Sequence, residues 1–129
     1  MIVDSSAIVA ILRREDDAAA FAQAIHDASD LRVSAATYVE LVNVLDRRIG
    51  PEAVTAADKL LARSLIEIVP FSPAQARWAR HARLTYGIGN HPARLNFGDC
   101  FAYALAKETG EALLFKGGDF ALTDVVPAL

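Results

Sequence analysis

Apolar and polar positions along the chain fall into two alternating regimes. Four short apolar runs, Ile2-Val3, Leu31-Arg32-Val33, Ile66-Glu67-Ile68-Val69 and Leu113-Leu114-Phe115, are bounded by turn or cap residues and predict strands. Between them, apolar residues recur three and four positions apart, which predicts helices. The first runs through Ile8, Ile11 and Leu12, with Ser5 and Ser6 available as caps, and the second covers the alanine-rich stretch Ala18 to Ala28 behind Asp16 and Asp17. A third leads from Ser34–Thr37 to Arg48, where two arginines suit the negative end of the helix dipole and Gly50-Pro51 stops it. Pro51 opens a fourth helix to Ser64, and Pro73 a fifth to about Tyr86. Asn96 caps a sixth that ends at Thr109-Gly110. Gly87 to Pro92 reads as a surface loop, Gly117-Gly118 as a turn, Phe120 to Leu122 as a short helical piece, and Val125-Val126 as a last short strand.

Strands that alternate with helices predict an α/β three-layer α/β/α sandwich with a mostly parallel central sheet. The length of 129 residues suits one domain spanning residues 1–129, large enough to bury its own core. Apolar residues make up 53% of the chain, much of it alanine, yet no run approaches the roughly 20 residues of a membrane span. The chain opens on a strand-like Met-Ile-Val-Asp without a basic leader, and Cys100 is its only cysteine. These features rule out an internal disulfide and a multi-cysteine zinc site, and point to a cytoplasmic protein. A net charge of −3 argues against bulk electrostatic attraction to nucleic acid. It does not argue against a nucleic-acid enzyme whose acids are gathered in one pocket, and Arg13-Arg14, Arg47-Arg48 and Arg77/Arg80/Arg83 are candidate basic patches.

Four acids carry the chemistry. Asp4 ends the first strand, Glu40 interrupts the apolar stretch Tyr38 to Val42, Asp99 precedes Cys100 to Leu105, and Asp119 follows the Lys116-Gly117-Gly118 turn. Carboxylates at the edges of core elements want a cation or a hydrogen-bond partner. Each has a plainer reading: a helix cap for Asp4, a polar stripe for Glu40, a capping box for Asp99 and turn chemistry for Asp119, with Asp124 competing for the fourth place. Taken together they suggest one divalent-cation site, with Ser6 as a supporting hydroxyl. In parallel α/β folds ligands sit beyond the carboxyl ends of the strands, where Asp4 and the Gly117–Asp119 turn fall. Gly98 beside Asp99 permits close approach of a substrate or metal. Oxygen donors suit Mg²⁺ or Mn²⁺. His26 and His81 read as helix surface and His91 as loop, so zinc is disfavoured. Arg94 and Lys116 are candidate substrate contacts by proximity in sequence.

The chain resembles the PIN-domain ribonucleases, and among them the VapC toxins of bacterial type II toxin–antitoxin pairs. The resemblance rests on Met1 to Leu12, Ala36-Thr37-Tyr38-Val39-Glu40-Leu41, Leu95 to Ala106 and Leu114 to Phe120, in order and across essentially the whole chain. It implies that Asp4, Glu40, Asp99 and Asp119 hold one or two Mg²⁺ or Mn²⁺ ions and a hydrolytic water, and that the protein is a metal-dependent endoribonuclease. It further implies a small DNA-binding antitoxin (VapB-like) that covers the groove, and a homodimer. The apolar surface around Ile8, Ile11, Leu12 and Phe21 either helps to bind that partner or belongs to the core.

Other classes fit less well. There is no Walker A, GxSxG or GxGxxG sequence. A phosphoacceptor receiver domain needs an acidic pair after the first strand, and a haloacid-dehalogenase phosphatase needs a second aspartate where Ser6 stands. The remaining alternative is a PIN-fold interaction module without catalysis, against which the full set of acids weighs.

Overall fold

The computed structural model describes residues 1–129. Its elements follow in the order β1 (Ile2–Val3), α1 (Ser5–Arg13), α2 (Ala18–Asp27), β2 (Leu31–Ser34), α3 (Ala35–Arg48), α4 (Pro51–Arg63), β3 (Ile66–Val69), α5 (Pro73–Tyr86), α6 (Asp99–Thr109) and β4 (Leu113–Leu114), with a 3₁₀ turn at Phe120–Leu122. The four strands form one parallel sheet in the order β3-β2-β1-β4. Ile2 stands opposite Arg32 on one side and Leu113 on the other, and β2 and β3 pair from Leu31↔Ile66 to Ser34↔Val69.

The two-residue period of a strand sends neighbouring side chains to opposite faces. Val3, Leu31, Val33, Ile66 and Leu114 join the core beneath α1 to α4, together with Ile8, Phe21, Ile25, Leu41, Leu45 and Leu61. Ile2 and Leu113 join the opposite core, with Ala82, Leu95, Tyr103, Leu105 and Phe120, beneath α5 and α6. Both faces are thus covered, giving the three layers that the alternation of elements predicts. Ile8 and Phe21 are core side chains, with Ile11 and Leu12 packed partly buried against them, so the apolar face of the early helices is spent on packing.

Most helix ends follow the sequence chemistry. Asp4, rather than Ser5 or Ser6, caps α1 through its side chain, with both serines in the first turn; Ser34 and Ser72 cap α3 and α5, and Pro51 and Pro73 sit in the first turns of α4 and α5. Gly110 ends α6 in the left-handed region at φ 70°. Two strand expectations are corrected. Val125-Val126 forms no strand: a single bridge joins Leu113 to Pro127, secured by Leu113 N–H to the Val126 carbonyl at 2.8 Å. Phe115 lies outside β4 because Lys116 N–H bonds to the Ser6 hydroxyl rather than extending the ladder. α3 is half-buried: Thr37, Leu41 and Leu45 face the core, while Val39 is 65% exposed.

The chain builds outward from β1 to β2 and β3, then returns through α5 and α6 to place β4 on the other side of β1. The strand order therefore reverses between β1 and β4. In open parallel sheets, ligands bind in the crevice beyond the strand ends at such a point.

Candidate functional site

Asp4 leaves β1 at this reversal. Its backbone N–H donates to the Leu114 carbonyl at 2.9 Å, so both strand ends are locked together beneath the carboxylate. One carboxylate oxygen, Oδ2, accepts from the Ser6 N–H at 2.9 Å and the Ser6 hydroxyl at 2.5 Å. Ser6 in turn accepts from Lys116 N–H at 2.9 Å, so its hydroxyl couples the β1 acid to the chain leaving β4. The plain reading of Asp4 as a cap is therefore realised, but it uses only one oxygen. Oδ1 is buried with no hydrogen-bond partner. A buried carboxylate oxygen left unpaired is costly, and it suits a cation. Burial pushes the Asp4 carboxyl above the usual range, against the lowering effect of its bonds from Ser6 and Ser5.

Glu40 comes from α3, half-buried beside Asp4. Ser5 Oγ donates to its Oε2 at 3.3 Å. Burial raises its pKa first, and the neighbouring Asp4 charge raises it further. The Glu40 carboxylate lies directly over Gly98: a Cβ on that glycine would fall onto Glu40 Oε1. Gly98 is thus the space that Glu40 occupies.

Asp99 begins α6. Asn96 N–H donates to Asp99 Oδ2 at 2.7 Å, and Asp99 N–H donates to Asn96 Oδ1 at 2.9 Å. This reciprocal pair is a capping box that fixes the helix start and the carboxylate together. Burial pushes Asp99 up to about 7, opposed by the Asn96 N–H and reinforced by the charges of Asp4, Glu40 and Asp119. Asp119 is an exposed residue just before the 3₁₀ turn, and it belongs to this electrostatic group through Asp99.

Asp124 stands elsewhere. It accepts from the Tyr103 hydroxyl at 2.8 Å and from Lys107 Nζ at 2.9 Å, which hold its carboxyl below the usual range despite some burial. Of the two candidates for fourth acid, only Asp119 couples to Asp99. Lys116 does not face the carboxylates as a free cation. Its Nζ is held by Glu15 at 2.6 Å and Asp17 at 2.8 Å, tying the chain after β4 to the turn between α1 and α2. Arg94 is exposed on the 87–96 loop at φ 54°, with no ion pair. His91 is taken up by its own loop, its Nδ1 accepting from Ala93 N–H.

Asp4, Glu40 and Asp99 thus come together from β1, α3 and α6, with Asp119 at their rim. They stand as separate arms: nowhere do three His, Cys, Asp or Glu side chains close into a ready-made cage. The donor set is all oxygen, which fits a hard divalent cation that retains water ligands. The Asn96–Asp99 pair is the capping box that the spacing of the two residues predicts, whereas the contact from Ser5 to Glu40 joins residues 35 positions apart and has no local signal in the sequence.

Comparison with known proteins places the chain in a family. The PIN domain family profile matches residues 1–126. Ribonuclease VapC28 of Mycobacterium tuberculosis is 51% identical over 130 residues, covering 100% of this chain and 98% of the relative. Ribonuclease VapC42 of the same species is 47% identical over 129 residues, covering 99% and 98%. Among solved structures, M. tuberculosis VapC20, described as a sarcin-ricin loop cleaving toxin, superposes with a TM-score of 0.77 over 97% of this chain and 95% of its own, at 17% identity. That likeness is one of fold. A profile match over nearly all residues and relatives at about half identity agree with the parallel α/β fold: the chain belongs to the PIN-domain family of VapC ribonucleases.

Proposed function

We propose that this ribonuclease depends on Mg²⁺ or Mn²⁺, held by Asp4, Glu40 and Asp99 with Asp119 at the rim, and that it cleaves RNA by hydrolysis. The observation that carries the reading is the buried, unpartnered Oδ1 of Asp4 among carboxylates that raise one another's pKa. Such a cluster is unfavourable alone and is relieved by a cation. A bound divalent ion would lower the pKa of water and offset charge on the phosphate.

The residues of the chain supply the positioning. Ser6 fixes Asp4 through Oδ2 and leaves Oδ1 for the ion. Ser5 steadies Glu40, and the Asn96 N–H fixes Asp99 through Oδ2. No side-chain nucleophile is required. Cys100 is buried and its thiol is pushed up by that burial, which suits core packing rather than attack. Water oxygen bonds to phosphorus as the bond to the 3′ oxygen breaks, and the departing oxygen takes a proton. The products are a 5′-phosphate and a 3′-hydroxyl. Single-stranded or looped RNA fits best, because its backbone bends into a cleft.

A cytoplasmic ribonuclease needs restraint. The proposed partner is a small DNA-binding antitoxin of the VapB type, one of whose guanidinium groups pairs with the acidic pocket. A homodimer is proposed on the same family grounds. No helix is long and apolar enough to cross a membrane.

The test is incubation of the purified protein with RNA in Mg²⁺ or EDTA, beside Asp99→Asn. Cleavage that needs the ion and is lost in the variant supports the reading. Equal cleavage by the variant would assign the activity to a contaminating nuclease or another site.

A further inference from the structure

A row of aromatic rings leads away from the carboxylates. Phe97 lies in the segment just before α6 and is 79% exposed, unusual for a phenylalanine in a loop fixed by a capping box. Its ring meets Phe101 edge to face at 4.9 Å, and Phe101 meets Phe71 likewise at 5.2 Å. On one side, Phe97 and Phe101 line a recess of about 690 Å³ whose other walls include Glu40, Gly98, Val39 and Asn43. That recess therefore opens onto the acidic group. On the other side, the same two rings line a second hollow with Arg80 and Arg83 of α5. Neither arginine forms an ion pair; Arg83 donates only to the Ile88 carbonyl at 3.1 Å, while Arg80 is exposed.

We propose that Phe97, backed by Phe101 and Phe71 and flanked by Arg80 and Arg83, is a base-stacking subsite for single-stranded RNA that feeds the strand toward Asp4, Glu40 and Asp99. The proposal rests on the ribonuclease reading and deepens it. A polyanion with flat apolar bases matches what this face offers: a ring with its surface open to solvent, and unpaired guanidinium groups at its edge for phosphates. Stacking is tolerant of base identity, so the subsite supplies grip and direction rather than sequence choice. The overall negative charge of the protein makes such a local attraction necessary, because long-range attraction does not supply it.

The experiment measures binding of a fluorescein-labelled 12-mer oligoadenylate, and of a 12-mer ribose-phosphate strand lacking bases, to the full chain in EDTA, where cleavage is suppressed. Phe97→Ala is expected to weaken oligoadenylate binding about tenfold or more while leaving the abasic strand unaffected, and Phe97→Trp to retain binding. Arg80→Gln is expected to weaken both strands and lower the salt slope by about one. The molar mass from light scattering is expected to be the same for all variants. Equal oligoadenylate affinity in Phe97→Ala, with cleavage intact in Mg²⁺, overturns the subsite and leaves the ribonuclease reading standing. A fall from dimer to monomer in Phe97→Ala overturns it in favour of an interface between copies. A wild-type protein that neither binds nor cleaves RNA overturns the ribonuclease reading itself.

Discussion

Individual side chains here serve two purposes at once, and the division runs between the two oxygens of a carboxylate. Asp4 and Asp99 each use Oδ2 to cap a helix, and each is thereby oriented for the site. Asp99 titrates at about 7 when folded, against an ordinary 3.8. The contribution of Asp99 to stability is therefore fully present below about pH 4 and is lost as pH rises from there through about 7, because ionising Asp99 costs more in the fold than in the open chain. In EDTA at pH 8, Asp99→Asn should raise the melting temperature by about 2–6 °C for a gain of about 1 kcal/mol, and should have its smallest effect near pH 4; scanning calorimetry across pH checks both. The same variant should lower RNA cleavage in Mg²⁺ by at least about 100-fold, beyond the loss typical of an outer carboxylate partner. A variant that is more stable yet inactive is the signature of a residue held for its charge. Gly98→Ala should also suppress cleavage, because the new methyl group displaces the Glu40 carboxylate. Its effect should be far from additive with Glu40→Ala, since both remove the same group.

Among the elements, α6 matters most to the site. It is buried along much of its length, from Cys100 to Ala106 with Phe101 half-buried, so its first residue cannot drift without moving the core. The Asn96–Asp99 capping box sets where the helix begins and where the acid points. Asn96→Ala should cost about 1 kcal/mol, read as a lower denaturant midpoint with an unchanged slope, and should weaken Mn²⁺ binding measured by calorimetry. The strand ends were harder to read than the helices. Two-residue strands such as β1 and β4 carry little periodicity, and the chain after β4 turns away because Ser6 takes the Lys116 N–H. Val125-Val126 had strand-like side chains, but its pairing is limited to the single bridge at Pro127. β-propensity describes a fit to a neighbour, and there the neighbour is one residue long.

At the level of the whole molecule, the sheet order β3-β2-β1-β4 decides where chemistry is possible. Its reversal brings residue 4 beside the chain that leaves β4, and α3 and α6 close in with Glu40 and Asp99. The resulting cluster carries unrelieved like charge, so the proposed cation would be linked to folding. Adding Mg²⁺ or Mn²⁺ at pH 8 should raise the melting temperature of the wild-type protein, with a smaller shift for Asp4→Asn, and the shift should shrink as pH falls through about 7 and protons compete for Asp99. A melting curve indifferent to both ions at every pH would contradict the proposed site.

The sequence by itself determined the alternation of strands and helices, most of their ends, and the residue types of the acidic set, because these depend on local periodicity and on chemistry within a few positions. Asp4 after an apolar strand and Gly98-Asp99 before an apolar helix were legible for that reason. Only the tertiary structure decided which cations and acids were free. Lys116 is claimed by Glu15 and Asp17, Asp124 by Tyr103 and Lys107, and Asp4 Oδ1 by nothing, and such pairings join residues up to about a hundred positions apart. A charged side chain's role is set by which partner reaches it first in space, and sequence spacing carries no record of that.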